Sequence, residues 1–295
     1  MTVHIHKPTR LPPFGRCIYC NASDENGPLT SEHVVPFFLG GNLEIDEASC
    51  RDCQKITTKI EGHCAYKVFH QYRHGVGIKS RRSIPQSIPV IFHTNAGPSV
   101  RQVPLGDQPQ IMTLPIFPEP GMLEGRTPKQ QMQPEIMTAW VSQAIEERFE
   151  RSKREGDEGY SLDAEYDVDI FARFIAKIGI AASVAILGFE PTSSWLGPLV
   201  RGLDKNVDYL IGTLFEPSNN VKSVTALLPR QGDVHLFGFE FRAQPSRTEG
   251  VVVARIKFFE ALGSPTYLAV VGPMELHDYE KRIAATQSVL PERTA

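Results

Sequence analysis

The sequence predicts an α+β protein in two parts. A small zinc-bound unit comes first, followed by a larger α+β domain with two long helices and a mostly antiparallel sheet. Three observations predict this. Cys17-Ile-Tyr-Cys20 and Cys50-Arg-Asp-Cys53 are paired knuckles, and together they supply the four thiolates that close a tetrahedral zinc site. Residues 168–187 are apolar nearly all round, as in a helix enclosed by a core. Beyond Tyr209, short apolar runs alternate with turn residues, the pattern of antiparallel strands.

Taken in order, residues 1–16 carry Pro8, Pro12 and Pro13 and read as an extended lead-in. Residues 17–53 are too rich in Gly and Pro for a long helix. They read as a knuckle, a short strand over 31–35, a loop through Gly40-Gly41 and a second short strand near 43–45. Ile56, Ile60, Cys64 and Val68 then recur every four residues, predicting a helix from about Asp52 to Tyr72 that Gly75 and Gly77 stop. Residues 85–92 and 111–117 look like strands. Pro134 opens a predicted helix with Met137, Trp140, Val141, Ala144, Ile145 and Phe149 on one face, ended by Gly156. The second long helix runs from Val168 to Leu187, capped by Gly188 and blocked by Pro191. Strands are expected over 209–215, 224–228, 234–241, 251–259 and 267–271, and a frayed polar tail from Tyr279 to Ala295.

With 295 residues, the chain has room for one large or two ordinary domains. A neck near 80–85 divides it into 1–82 and 83–295, the second part serving substrate choice, oligomerisation or regulation. The composition, 41% apolar and 22% charged, is that of a globular protein, and a net charge of −3 argues against wholesale coating of nucleic acid. The distribution is less even. Residues 49–82 hold eight Lys or Arg against Asp52 and Glu61, whereas acids outnumber bases over 119–170. A polyanion is steered to the first segment, unless that segment is simply a solvated helix face. Four of the five cysteines fall in tight pairs, which favours metal ligation over disulfides and leaves Cys64 as a buried thiol. No secretory leader or membrane-spanning run is expected, so the cytoplasm is the default compartment.

Between the knuckles stand Glu32-His33, then Val34-Val35-Pro36 and Gly40-Gly41. Histidine suits the activation of water near neutral pH, and a neighbouring carboxylate suits the holding of a Mg²⁺-class cation. Successive strand residues face opposite ways, so the pair converges only where the strand ends, bulges or twists.

The string Cys17-x2-Cys20, Ser31-Glu32-His33-Val34-Val35-Pro36, Leu39-Gly40-Gly41 and Ala48-Ser49-Cys50-x2-Cys53 resembles the HNH endonuclease family in its zinc-knuckle form, over about residues 14–65. The resemblance implies a ββα-metal unit with structural Zn²⁺ on Cys17, Cys20, Cys50 and Cys53. It implies His33 as general base, and Glu32 holding a catalytic Mg²⁺ or another divalent cation. Gln54 stands where the family has a histidine or asparagine, and the family's middle asparagine is missing, Asn42 lying nearby. Glu61, on the Gln54 face of the predicted helix, either completes the cation site or is a solvated acid. Lys55, Lys59, Arg81 and Arg82 are the expected contacts to a nucleic-acid backbone. The resulting expectation is a metal-dependent endonuclease acting on DNA, with self-association left open. The alternative is a non-catalytic zinc module that binds nucleic acid or protein through a degenerate site.

Overall fold

A computed structural model describes residues 9–70, 86–107, 111–128, 135–140, 145–161, 167–214, 235–243, 249–258 and 264–289. The fold is α+β, and its strands pair mostly antiparallel. The N-terminal unit is a three-stranded sheet of β1 (Thr9–Leu11), β2 (Thr30–His33) and β3 (Leu43–Ser49), in the order β1-β3-β2. Helix α1 (Arg51–His63) follows and runs on into a π-helical turn at Cys64–Val68. The lead-in thus contains a strand, paired parallel to β3 with Thr9 opposite Leu43. Its three residues carry no period for a sequence reading to detect. Between β2 and β3 the chain turns tightly at Gly40, in the left-handed region (φ 87°), and at Gly41. A Cβ on Gly41 would lie 1.8 Å from the Val35 carbonyl oxygen, so the turn closes only without a side chain there.

The second part is organised around α3 (Val168–Leu187). Asp167 caps it by accepting from the Ile170 amide, and Gly188 ends it at φ 59°. The helix has the length and apolar character of a membrane span, but most of it is buried inside the protein. It packs on a four-stranded antiparallel sheet of β9 (Ile211–Leu214), β10 (His235–Ala243), β11 (Glu249–Phe258) and β12 (Thr266–Glu275), ordered β10-β11-β12-β9. At Gly179 an added Cβ would come within 2.9 Å of the Ala269 Cβ, so small residues set how closely helix and sheet approach. Strands β4 (Ser87–Thr94), β5 (Gly97–Pro104) and β8 (Asp157–Ser161) form a separate sheet around Ile88, Val90, Phe92 and Val103.

Two predicted elements differ. In place of a helix opening at Pro134, Glu135–Trp140 is strand β7, paired with β6 (Ile111–Ile116) from Ile111↔Trp140 to Ile116↔Glu135. Helix α2 is described over Ile145–Ser152. The alternation Ile136, Thr138, Trp140 fits a period of two as well as the apolar spacing fits a helix, and β6 supplies the pairing edge. Nor is the C-terminus frayed throughout. Beyond the short helices α4 (Leu196–Arg201) and α5 (Val207–Leu210), residues Leu276–Val289 form α6. It is anchored by Tyr279 Oη donating to the Phe239 carbonyl (2.8 Å) and Arg282 Nη1 donating to the Leu187 carbonyl (2.9 Å). The predicted strand over 224–228 and the neck near 80–85 lie outside the described residues.

One apolar core runs through both parts. Phe69, just after the π-helical turn, sits against Phe171, Phe174 and Phe258 at centroid distances of 5.6–6.3 Å. On the other side Arg16 bonds Glu190 at 2.6 Å.

Candidate active site

Four thiols come first, because they hold the site's elements in place. The Sγ atoms of Cys17, Cys20, Cys50 and Cys53 all lie within 4.8 Å of one another, and Cys20 and Cys50 are 3.6 Å apart. A tetrahedral Zn–S₄ centre with bonds of about 2.3 Å puts its sulfurs about 3.8 Å apart, so the quartet fits zinc with no position left for water. A hydrogen bond from Cys53, stronger than the opposing effect of burial, brings the Cys17 thiol down to about 5, while burial pushes Cys20 up to about 11. The first knuckle is tied to the end of β3 by the Ile18 amide donating to the Ala48 carbonyl, and the second opens α1 at Cys50. Bound zinc would clamp β3, α1 and the first loop into one rigid corner.

Beside this corner lies a cavity of about 570 Å³ whose lining includes Arg10, Glu32, His33, Glu44, Gln54 and Glu61. Glu32 and His33 both reach it, although they are consecutive on β2. The pairing of β2 with β3 shifts register between Thr30 and Glu32, and β2 ends at His33. The two side chains nevertheless take different partners.

His33 stands directly opposite Glu44 on β3, and Glu44 directly opposite Arg10 on β1. Its Nε2 lies 3.4 Å from Glu44 Oε1, and Arg10 Nε lies 3.3 Å from Glu44 Oε2. An Arg–Glu–His row therefore crosses the small sheet. Neither Arg10 nor Glu44 belongs to the spacing that flagged the motif. Only the strand register brings them to His33, so no spacing in the chain pointed to them.

Glu32 is buried and turns toward α3. Its Oε1 is 2.8 Å from the Nζ of Lys177, in the middle of α3, and Glu61 Oε1 on α1 is 2.9 Å from the same nitrogen. The ammonium also donates to the His33 backbone carbonyl. Burial opposes the charged lysine, but Glu32 and Glu61 outweigh it and hold Lys177 above its ordinary value. Burial, with repulsion from Glu61, pushes the Glu32 carboxyl up against the pull of Lys177.

Glu32 and Glu61, expected to hold a divalent cation, both pair with an ammonium here. A dication on the same oxygens would lie within about 5 Å of Nζ. At an effective dielectric of about 20 that costs roughly 7 kcal/mol in repulsion. The set Glu32, Gln54 and Glu61 does not fit a Mg²⁺-class ion while Lys177 is there. Gln54 is exposed on the first turn of α1 and lines the cavity without joining the cluster. Asn42 is buried outside the cavity lining.

Of the expected backbone contacts, Lys55 and Lys59 are exposed on α1, Lys55 lying 3.0 Å from Asp52. Arg81 and Arg82 lie outside the described residues. Among the described residues, Arg10 is the cationic side chain that lines the cavity, two-thirds exposed.

No curated protein and no solved structure shows significant similarity to this chain. The family comparison is local, and it covers the segment that carries the thiol quartet, the His33 strand and α1: residues 17–65 match the HNH endonuclease family.

Proposed function

We propose that the N-terminal unit hydrolyses phosphodiester bonds in DNA, as an endonuclease of HNH type. The observation that carries this reading is the Arg10–Glu44–His33 row at the edge of a cavity inside the family-matching unit. Neutral His33 takes a proton from a water in line with the phosphorus. As the water oxygen bonds to phosphorus, the P–O bond to the leaving 3′ oxygen breaks and that oxygen takes a proton from solvent. Glu44, 3.4 Å from Nε2, stabilises the imidazolium. Arg10 meets the non-bridging phosphate oxygens, where a guanidinium binds with two parallel donors. Lys55 and Lys59, four residues apart on the exposed side of α1, position the duplex backbone without reading its sequence. Zinc on the four cysteines keeps these parts in register and takes no part in the reaction.

One observation favours a second reading, that of a nucleic-acid-binding module with a degenerate site: Lys177 stands among the carboxylates expected to bind the catalytic ion. Supercoiled plasmid separates the two. Nicking by the wild-type protein that is lost in His33→Ala supports hydrolysis. Salt-sensitive binding without nicking, in Mg²⁺, Mn²⁺ or Ni²⁺, supports the module.

A further inference from the structure

We infer that Lys177 is the resident cation of the Glu32–Glu61 pair, and that this unit takes no divalent cation there. The inference deepens the proposed function and rests on the same reading of the site as an HNH unit.

A lysine ammonium carries three N–H donors, and three acceptors surround this one: Glu32 Oε1, Glu61 Oε1 and the His33 carbonyl. No donor is left for a phosphate or a water, so Lys177 acts as a positioning residue, fixing β2 to α1 directly beneath His33. Lysines on core helices ordinarily run their stems outward so that the charge reaches water. This side chain is 0% exposed, and its head is turned inward onto two acids.

A Mg²⁺ ion at the Nζ position would be 2.8 and 2.9 Å from the carboxylate oxygens, whereas it binds oxygen at about 2.0–2.1 Å and retains several waters. The spacing is that of ammonium hydrogen bonds. Lys177 belongs to α3, more than a hundred residues beyond the segment that matches the family, so the cation comes from a part of the chain the family pattern does not include.

The test reads Mn²⁺ binding from the loss of the free aquo-ion signal in electron paramagnetic resonance, using zinc-replete full-length protein. The wild-type protein is expected to take up no Mn²⁺ at millimolar concentration. Lys177→Met, which leaves two acids facing one vacated position, is expected to bind one Mn²⁺ per chain and to melt at a higher temperature with it. Glu32→Gln added to Lys177→Met should abolish both effects. Uptake of Mn²⁺ by the wild type that disappears in Glu32→Gln overturns the inference, and this comparison decides even if Lys177→Met does not fold. The outcome is separable from that of the nuclease reading. Nicking that requires Mg²⁺, together with Glu32-dependent Mn²⁺ uptake, removes the inference and keeps the nuclease. Absence of nicking in every condition, with no Mn²⁺ uptake by the wild type, removes the nuclease and supports Lys177 as the resident cation.

Discussion

His33 and Glu44 form a cross-strand pair, and their order of importance can be predicted from what each does. Without the imidazole the row keeps only the Glu44 carboxylate, already in contact with Arg10, so His33→Ala should lower plasmid nicking by about 10²–10⁴-fold. Glu44→Gln keeps the shape but removes the charge that holds the imidazolium. Its loss should be smaller and should fall on kcat, whereas Arg10→Ala should act mainly through KM. Equal loss from Glu44→Gln and His33→Ala in kcat would mean that the pair acts as a unit; no loss from either would remove both from the chemistry. At this scale the motif was legible because its residues are close in sequence. Cys17, Cys20, Glu32, His33, Cys50 and Cys53 fall within a window of fewer than forty residues. Lys177 was not legible. A lone lysine in an apolar helix reads as a residue whose head reaches water, and its partners Glu32 and Glu61 lie over a hundred residues away.

At the scale of elements, α1 links the zinc corner to the core. Its beginning depends on the second knuckle, so any Cys-to-Ser change in the quartet should release zinc and melt residues 14–70, measurable as lost helical circular dichroism alongside elemental analysis showing less than one zinc per chain. Its far end depends on Phe69, which is fully buried among the rings of Phe38, Phe171, Phe174 and Phe258. Phe69→Ala should cost about 3–5 kcal/mol in urea unfolding while leaving zinc content unchanged, because Phe69 lies beyond the opposite end of α1 from the knuckle that opens it. The separate β4-β5-β8 sheet has its own weak point. Asp157 accepts from the Arg154 amide (2.7 Å) and is paired with Arg101. Burial alone would raise its carboxyl, but these partners outweigh it and hold the group below the ordinary range. A depressed carboxyl contributes stability above its unfolded value of about 3.9 and loses it as pH falls through the lower folded value. Acid titration should therefore loosen this sheet below about pH 4, and Asp157→Asn should flatten that part of the curve. The helix over 168–187 was legible because its apolar surface has no competing period, and Gly188 and Pro191 mark its end. The strand at Glu135–Trp140 was not, since its apolar residues satisfy two periods and only pairing with β6 selects one.

For the molecule as a whole, the family-matching unit is built into a larger core. Val34, Val35, Leu39, Ile60 and Phe69 share one apolar cluster with α3 and with β11 and β12. Two polar ties cross the same contact: Lys177 to Glu32 and Glu61, and Arg16 to Glu190. Removing everything beyond residue 82 would uncover the cluster and take away the ammonium that Glu32 and Glu61 share. Each large apolar side chain left in water costs about 1.5–3 kcal/mol, a large share of the 5–15 kcal/mol that holds a typical domain together. Zinc alone would then have to hold a sheet of three short strands and one helix. A fragment of residues 1–82 with bound zinc should accordingly show no cooperative thermal transition, with amide exchange protected only near Cys17, Cys20, Cys50 and Cys53. The intact chain should melt its N-terminal unit and the α3 sheet in one step. A fragment that melts cooperatively at the temperature of the intact chain would show that the unit carries its own stability, and that α3 contributes only the lysine.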